Sequence, residues 1–287
     1  MMSFLQVTRE GIELSGLLLR WYGVLLVASV WIGVAVASRL ARRAGIAPEH
    51  AWRALVWMAF PALAGARLWH VLFPPDSVAA LGRTASWMLA HFFDLNQGAV
   101  AVWSGGLGLV GGIAGGIAGL WLYARRHGLP LLPLLDIGAV ALLLGQAIGR
   151  WGDGANLEVY GPPTGLPWGV LIDDAARRVA PYTDLARYPL DETRFHPVWL
   201  YDSLLAAILF GVLLTVWMRR RDQLRAGDIA LAYLMLYGAG RFLLEFLRVN
   251  VATAAGINVT QAAFAAGIVV GTALLWRRRR RDAKMPE

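Results

Sequence analysis

The chain is built from long apolar runs broken by short segments that carry nearly all of its charge. A helix needs about 20 consecutive, mostly apolar residues to cross the core of a bilayer. Read on that length, the pattern predicts seven spanning helices, at about 17–38, 52–73, 99–123, 131–148, 198–218, 229–246 and 257–276. The fourth is short and the second contains Arg67, so their edges are the least sharply marked. The expected fold class is an all-α polytopic membrane protein, a single integral membrane domain over residues 1–287. No fixed-period repeat and no soluble domain at either end stands out.

Basic residues turn this pattern into a topology. Arg39, Arg42, Arg43 and Arg53 follow the first span, Arg125 and Arg126 the third, and Arg219, Arg220, Arg221 and Arg225 the fifth. Five arginines at 277–281, with Lys284, follow the seventh and suit a stop-transfer anchor touching anionic lipid. Only Arg83 lies between spans two and three, and only Arg248 between six and seven. The positive-inside rule then puts the N-terminus outside and the C-terminus in the cytoplasm of a multi-pass membrane protein. Residues 149–197 fall outside. They are too many for a turn and rich in proline and both charges, so a small extracytoplasmic subdomain is expected between spans four and five. Residues 1–16 lack a basic region followed by an apolar run, so no cleavable signal peptide is expected.

Composition narrows the chemistry. The chain is 57% hydrophobic with 27 basic and 19 acidic residues. Loop asymmetry accounts for the net charge of +8, so no nucleic-acid partner is expected. There is no cysteine, which excludes disulfides, thiolate metal sites and a sulfur nucleophile supplied by the chain. No HExxH, Walker loop, dinucleotide fingerprint or GxSxG elbow is present, and no metal or organic cofactor is expected.

The segment 149–161 stands apart from this background. It ends an apolar run with Arg150, Asp153, Asn156, Glu158 and four glycines, including Gly161. Charge at the edge of a helical bundle is costly without partners or ligand, and a guanidinium is a planar fork suited to phosphate or carboxylate. Arg241, Glu245 and Arg248, at i, i+4 and i+7, share one helical face. An arginine at mid-bilayer costs at least ~2.5–3.5 kcal/mol, which pairing with Glu245 reduces; the alternative reading is an internal ion pair that only locks helices together. Arg67, in Gly65-Ala66-Arg67-Leu68, either joins these arginines on one anion or snorkels to the interface. His196, before Pro197 at the start of the fifth span, is a proton carrier or a polar interface residue, and Asp202 suits the dipole of that helix. The glycines from Gly105 to Gly119 make a smooth face for helix packing or for a lipid chain.

Together these pieces resemble the prolipoprotein diacylglyceryl transferase family over nearly the whole chain. The resemblance rests on Arg20-Trp21-Tyr22-Gly23, Gly65-Ala66-Arg67-Leu68, Trp103-Ser104-Gly105-Gly106-Leu107 with Gly111-Gly112, His196-Pro197 with Leu200-Tyr201, and Gly238-Ala239-Gly240-Arg241 with Glu245-Phe246 and Arg248. The family signature G-R-x-G-N-F-x-N-x-E-x-x-G aligns on Gly149 to Gly161. Asp153-Gly154 replaces the signature's Asn-Phe, and Val110 stands where the family has His or Tyr.

The resemblance implies transfer of a diacylglyceryl group from phosphatidylglycerol to the lipobox cysteine of a preprolipoprotein signal peptide, releasing glycerol phosphate. It implies that Arg150 and Arg241 hold the phosphate and that Glu158, Asp153 or His196 takes the thiol proton. Glu245 positions Arg241, Asn156 and Gly161 shape the loop, Tyr22 bonds the headgroup, and Arg67 and Arg248 complete the substrate-binding set. No cofactor is implied, because the leaving group is already a phosphate monoester. The partners implied are phosphatidylglycerol, the preprolipoprotein and membrane lipids. Two alternatives stay open: a diverged member with a different acceptor, motivated by Asp153 and Val110, and a non-catalytic phospholipid-binding membrane protein.

Overall fold

A computed structural model describes residues 5–8, 11–14 and 17–282. Seven long helices form the body: α1 (Trp21–Arg43), α2 (Glu49–Leu72), α5 (Leu109–His127), α6 (Leu131–Ala155), α7 (Val198–Arg220), α8 (Asp228–Leu244) and α9 (Val259–Asp282). The short helices α3 (Asp76–Ala80) and α4 (Ala85–Ala90) lie between α2 and α5. Six of the long helices are long and apolar enough to cross a membrane; α5 falls outside that set. Its five glycines and its terminal Arg125-Arg126 dilute the apolar character that leucine and isoleucine supply elsewhere.

Several edges differ from the sequence reading, each for a local reason. Residues 17–20 are not helical: β3 (Leu17–Arg20) pairs antiparallel with β2 (Gly11–Leu14), which in turn pairs with β1 (Leu5–Val7). Three consecutive leucines suit helix and strand equally, and pairing with a neighbouring strand decides between them. The expected third span begins at residue 99, but its helix starts only at Leu109. Gly105 and Gly106 adopt φ of +85° and +76°, which a helix cannot accommodate. Conversely α6 continues past residue 148 to Ala155, so Arg150 and Asp153 are helical and the irregular segment begins at Asn156. The sixth span closes in a 3-10 turn, Glu245–Leu247.

The helix α6 is central, packing against α1, α7 and α8. Leu143, Val140, Ala206, Leu213, Ile229 and Tyr237 form the heart of the main core. Asp136, near the start of α6, accepts from the backbone N–H groups of Gly227 (2.6 Å) and Ala230 (2.9 Å), so α6 and α8 begin at the same end of the bundle. The arginine-rich ends of α7 and α1 meet there too, through Arg221 and the Arg43 carbonyl. The opposite end therefore receives the C-termini of α6 and α8 and the N-terminus of α7. Large apolar side chains such as Phe60, Ile208 and Val269 point outward along the spans, as expected where lipid is the solvent.

Glycine sets the closest helix contact. The backbones of α2 and α5 approach so tightly that a Cβ at Gly111 would run into the Gly65 carbonyl oxygen, and one at Gly115 into that of Pro61. Gly112 has ordinary room, its nearest neighbour being the Ala66 Cβ at 3.5 Å. Overpacking of this kind costs roughly 1–3 kcal/mol. Gly115→Ala is therefore expected to lower the melting temperature of the detergent-purified protein by several degrees, whereas Gly112→Ala leaves it near the parent value. Equal effects of the two substitutions would show that backbone approach is not what limits this interface.

Candidate active site

Three helix ends meet at the far end of the bundle. Arg241 lies in the last turn of α8, where the dipole stabilises a cation, whereas Arg150 sits just before the last turn of α6 and Asp202 just beyond the first turn of α7. Asp202 is fully buried, and its Oδ2 is 2.6 Å from Arg150 Nε and 3.4 Å from Arg241 Nη1. The Tyr237 hydroxyl donates to its Oδ1 at 3.2 Å. Arg241, 2% exposed, also donates from Nη2 to Glu245 Oε2 at 3.0 Å, and Arg248 Nη1 reaches the other Glu245 oxygen at 3.4 Å. On the outer side Arg150 Nη1 donates to Asp153 at 2.7 Å.

The network leaves donors over. Arg241 Nε and Nη1 and Arg248 Nε are buried without a well-directed hydrogen bond, and the close approach of Asp202 Oδ2 to Arg150 Nε is a charge contact without hydrogen-bond alignment. Buried polar groups are nearly always satisfied, so unused N–H groups on clustered guanidiniums suit an oxyanion ligand. Among the described residues, no group of three or more His, Asp or Glu is placed to hold a metal ion.

The segment after α6 is held in tension. Leu157 and Val159 have φ of +56° and +55°, and for a β-branched valine this is an outlier. Between them Glu158 donates its backbone N–H to the Asp153 carbonyl (2.8 Å) and pairs through its side chain with Arg177 (3.0 Å). Burial and the neighbouring Asp153 push the Glu158 carboxyl above its ordinary value, against the opposing pull of Arg177 and Arg248. Asn156 caps α6, its N–H donating to the Gly152 carbonyl at 3.0 Å. Gly161 donates to the His196 carbonyl (2.9 Å), and a Cβ there would come within 2.5 Å of the Leu247 carbonyl oxygen, so the loop can cross the α8 turn only on a glycine.

Arg67 does not join the other arginines. It is 5% exposed and its guanidinium donates to the carbonyls of Ala99 (2.8 Å), Gly105 (2.5 Å) and Gly98 (2.7 Å). It is the clasp that holds the non-helical segment before α5. His196 Nδ1 is 3.0 Å from the Tyr201 hydroxyl, which also accepts from the Trp168 indole N–H at 2.9 Å. Tyr22 lies against the last turn of α6, where a Cβ at Gly152 would be 3.0 Å from its ring, within electrostatic reach of Arg150, Asp153 and Glu158.

Each departure from the signature has a structural counterpart. Asp153 is the partner of Arg150. Gly154 lies under Trp199, whose indole carbon would be 2.7 Å from a Cβ there, so the indole fills the space a side chain at 154 would take. Val110 packs against the main core. Sequence reasoning gave Asp202 only a dipole role and passed over Tyr237.

Two stability effects follow. Removing one partner of a buried charge network typically costs about 3–5 kcal/mol, so Asp202→Ala is expected to melt well below the parent in detergent; a melting temperature within a degree of the parent would remove Asp202 from its bridging role. The folded chain holds the Glu158 proton more tightly than the unfolded chain, whose ordinary value is 4.5. Its contribution to stability is thus present below that value and lost as pH rises through the raised one. Glu158→Gln is expected to melt above the parent at pH 7, with the difference narrowing toward pH 4. A difference that widens on acidification would contradict the assigned direction.

The family model for prolipoprotein diacylglyceryl transferase matches residues 10–277. A protein named phosphatidylglycerol–prolipoprotein diacylglyceryl transferase from Gloeobacter violaceus is 36% identical over 273 residues, covering 95% of this chain and 93% of its own. Relatives of the same name from Synechococcus elongatus (36% over 281 residues, 95% and 89%) and Chloroflexus aggregans (35% over 282 residues, 92% and 87%) are similar at comparable coverage. With nearly its whole length matched in this way, the chain belongs to the prolipoprotein diacylglyceryl transferase family.

Proposed function

We propose that this protein is a membrane transferase that moves the diacylglyceryl group of phosphatidylglycerol onto a prolipoprotein, with the lipobox cysteine thiol as acceptor and glycerol phosphate as leaving group. The observation that carries the reading is the buried pair of guanidiniums joined by Asp202, with Arg241 N–H groups left for an anion.

Arg150 and Arg241 hold the phosphate of the donor. The acceptor thiolate attacks the glycerol carbon of the diacylglyceryl group, a C–S bond forms, and the C–O bond to phosphate breaks. The electron pair goes to the departing glycerol phosphate. Negative charge grows there, so fixed guanidiniums stabilise the transition state more than the ground state. Asp202 and Glu245 keep the two arginines oriented without reorganisation during the reaction. Each of the three candidate proton acceptors has a partner, Asp153 in Arg150, His196 Nδ1 in Tyr201 and Glu158 in Arg177; Glu158 is favoured because burial and the neighbouring Asp153 raise its proton affinity in spite of Arg177.

The arginine-rich helix ends face the cytoplasm, the N-terminus lies outside, and α5 serves as the third of seven spans. The site then sits at the outer leaflet of a bacterial cytoplasmic membrane, where a phospholipid enters sideways from the bilayer. Residues 156–197 cover it as the extracytoplasmic subdomain, tied together by Arg178, which donates to the carbonyls of Ile172 and Tyr188 and lies over the Phe195 ring.

The test uses purified protein with phosphatidylglycerol and a synthetic lipobox peptide, followed by mass spectrometry. A diacylglyceryl mass gain is expected, absent from a Cys→Ser peptide and reduced at least ~10²-fold by Arg150→Ala or Arg241→Ala. Full activity in both variants would refute the phosphate role. Glu158→Gln is expected to lose ~10²-fold in turnover and to recover part of it as pH approaches the thiol's own value of about 8.5. Loss with no recovery at high pH would take proton transfer away from Glu158.

A further inference from the structure

The charged network is balanced before any ligand arrives. Three guanidiniums, of Arg150, Arg241 and Arg248, meet three carboxylates, of Asp153, Asp202 and Glu245. A phosphate ester brings at least one further negative charge, and it must be received on guanidinium N–H groups that are partly taken. Arg150 is the most committed of the three, since Asp202 lies against its Nε at 2.6 Å and Asp153 holds its Nη1 at 2.7 Å.

The three carboxylates are not equally free to yield. Asp202 is fully buried, touches both arginines and accepts from Tyr237, so it leaves only if α7 moves. Glu245 is fully buried between Arg241 and Arg248 and does not contact Arg150. Asp153 retains 13% side-chain exposure and Arg150 is its ion-pair partner among the described residues. It stands in the last turn of α6, between Gly152 and Gly154, with its backbone carbonyl engaged by Glu158. It occupies Nη1 of Arg150, whereas Asp202 lies against Nε.

We propose that Asp153 is an exchangeable counter-ion for Arg150: it occupies the guanidinium in the free enzyme, gives way to the donor's phosphate, and returns as the phosphate monoester departs. Asp153 is thus an affinity-setting residue that acts through Arg150 and does not take the thiol proton. Exchange of one anion for another keeps Arg150 paired throughout, which avoids leaving a partly buried cation without a partner. It also weakens the hold on the product, whose charge is greater than that of the substrate. The inference rests on the reading of Arg150 as a phosphate ligand.

The experiment compares the full-length parent, Asp153→Asn, Asp153→Ala and Asp153→Glu in detergent micelles with phosphatidylglycerol and lipobox peptide. Glycerol phosphate and inorganic phosphate are added as separate inhibitors, and melting temperatures report folding. Removing one competing charge pair corresponds to ~5- to 10-fold in affinity. The KM for phosphatidylglycerol is therefore expected to fall by about that factor in Asp153→Asn and Asp153→Ala, with inhibition by glycerol phosphate tightening in parallel and kcat not rising. Tightening by inorganic phosphate as well assigns the exchange to the phosphate itself; tightening by glycerol phosphate alone assigns it to the esterified headgroup. Asp153→Glu, which keeps the carboxylate, stays near the parent KM. An unchanged or raised KM in both neutral variants overturns the proposal, as does a collapse of kcat at constant KM, which would make Asp153 a proton carrier. Arg150→Ala in the same assay separates the levels. If it retains full activity, the phosphate reading itself fails; if it is inactive while Asp153→Asn shows no KM gain, only the counter-ion role fails. Should Asp153→Asn not fold, Asp153→Ala carries the same comparison.

Discussion

One fully buried carboxylate, Asp202, organises this end of the molecule. Two guanidiniums from different helices, α6 and α8, approach a common point, and without an anion between them they would repel in a medium that screens little. Asp202 supplies that anion from a third helix, and the Tyr237 hydroxyl secures its second oxygen. The dipole of α8 agrees with the arrangement, because its last turn carries Arg241. The arginines are therefore oriented by the packing of the bundle before any substrate binds. Such preorganisation is what makes electrostatic stabilisation of a leaving phosphate effective.

The remainder of the bundle keeps this junction in register. Asp136 ties the beginnings of α6 and α8 together at the opposite end, fixing how far each helix reaches toward the site. The α2–α5 pair approaches through glycine on both helices, and Arg67 spends its whole guanidinium on backbone carbonyls of the segment before α5. An arginine within an apolar span can thus be architectural. Three carbonyls of a non-helical segment need donors that the segment cannot provide for itself, and one guanidinium provides them.

Beyond the bundle, the loop after α6 trades backbone comfort for position. Left-handed conformations at Leu157 and Val159 cost of order 1–3 kcal/mol each. They turn Glu158 back toward Asp153 and bring the chain across the α8 turn at Gly161. The substitutions at 153 and 154 alter this region without undoing it. A carboxylate takes up Arg150, and the indole of Trp199 occupies the space beside Gly154.

Much of this was legible in the sequence alone. Apolar runs located the long helices, because burial in lipid demands unbroken hydrophobicity over a fixed length. The polar cluster at 149–161 and the Arg241, Glu245 and Arg248 face marked the candidate site, because charge in such surroundings needs a reason. Helix edges were less legible. Runs such as 17–19 and 99–108 are without charge in any conformation, and strand pairing and left-handed glycines decided them. Asp202 and Arg67 were beyond local reading for one shared reason: the role of a charged side chain depends on which distant groups meet it. The sequence determined which residues carry charge into the membrane-facing end, since that is a property of each segment. Only the tertiary structure decided that Asp202 joins Arg150 to Arg241 while Arg67 holds a loop, because pairing across helices is set by packing and not by spacing along the chain.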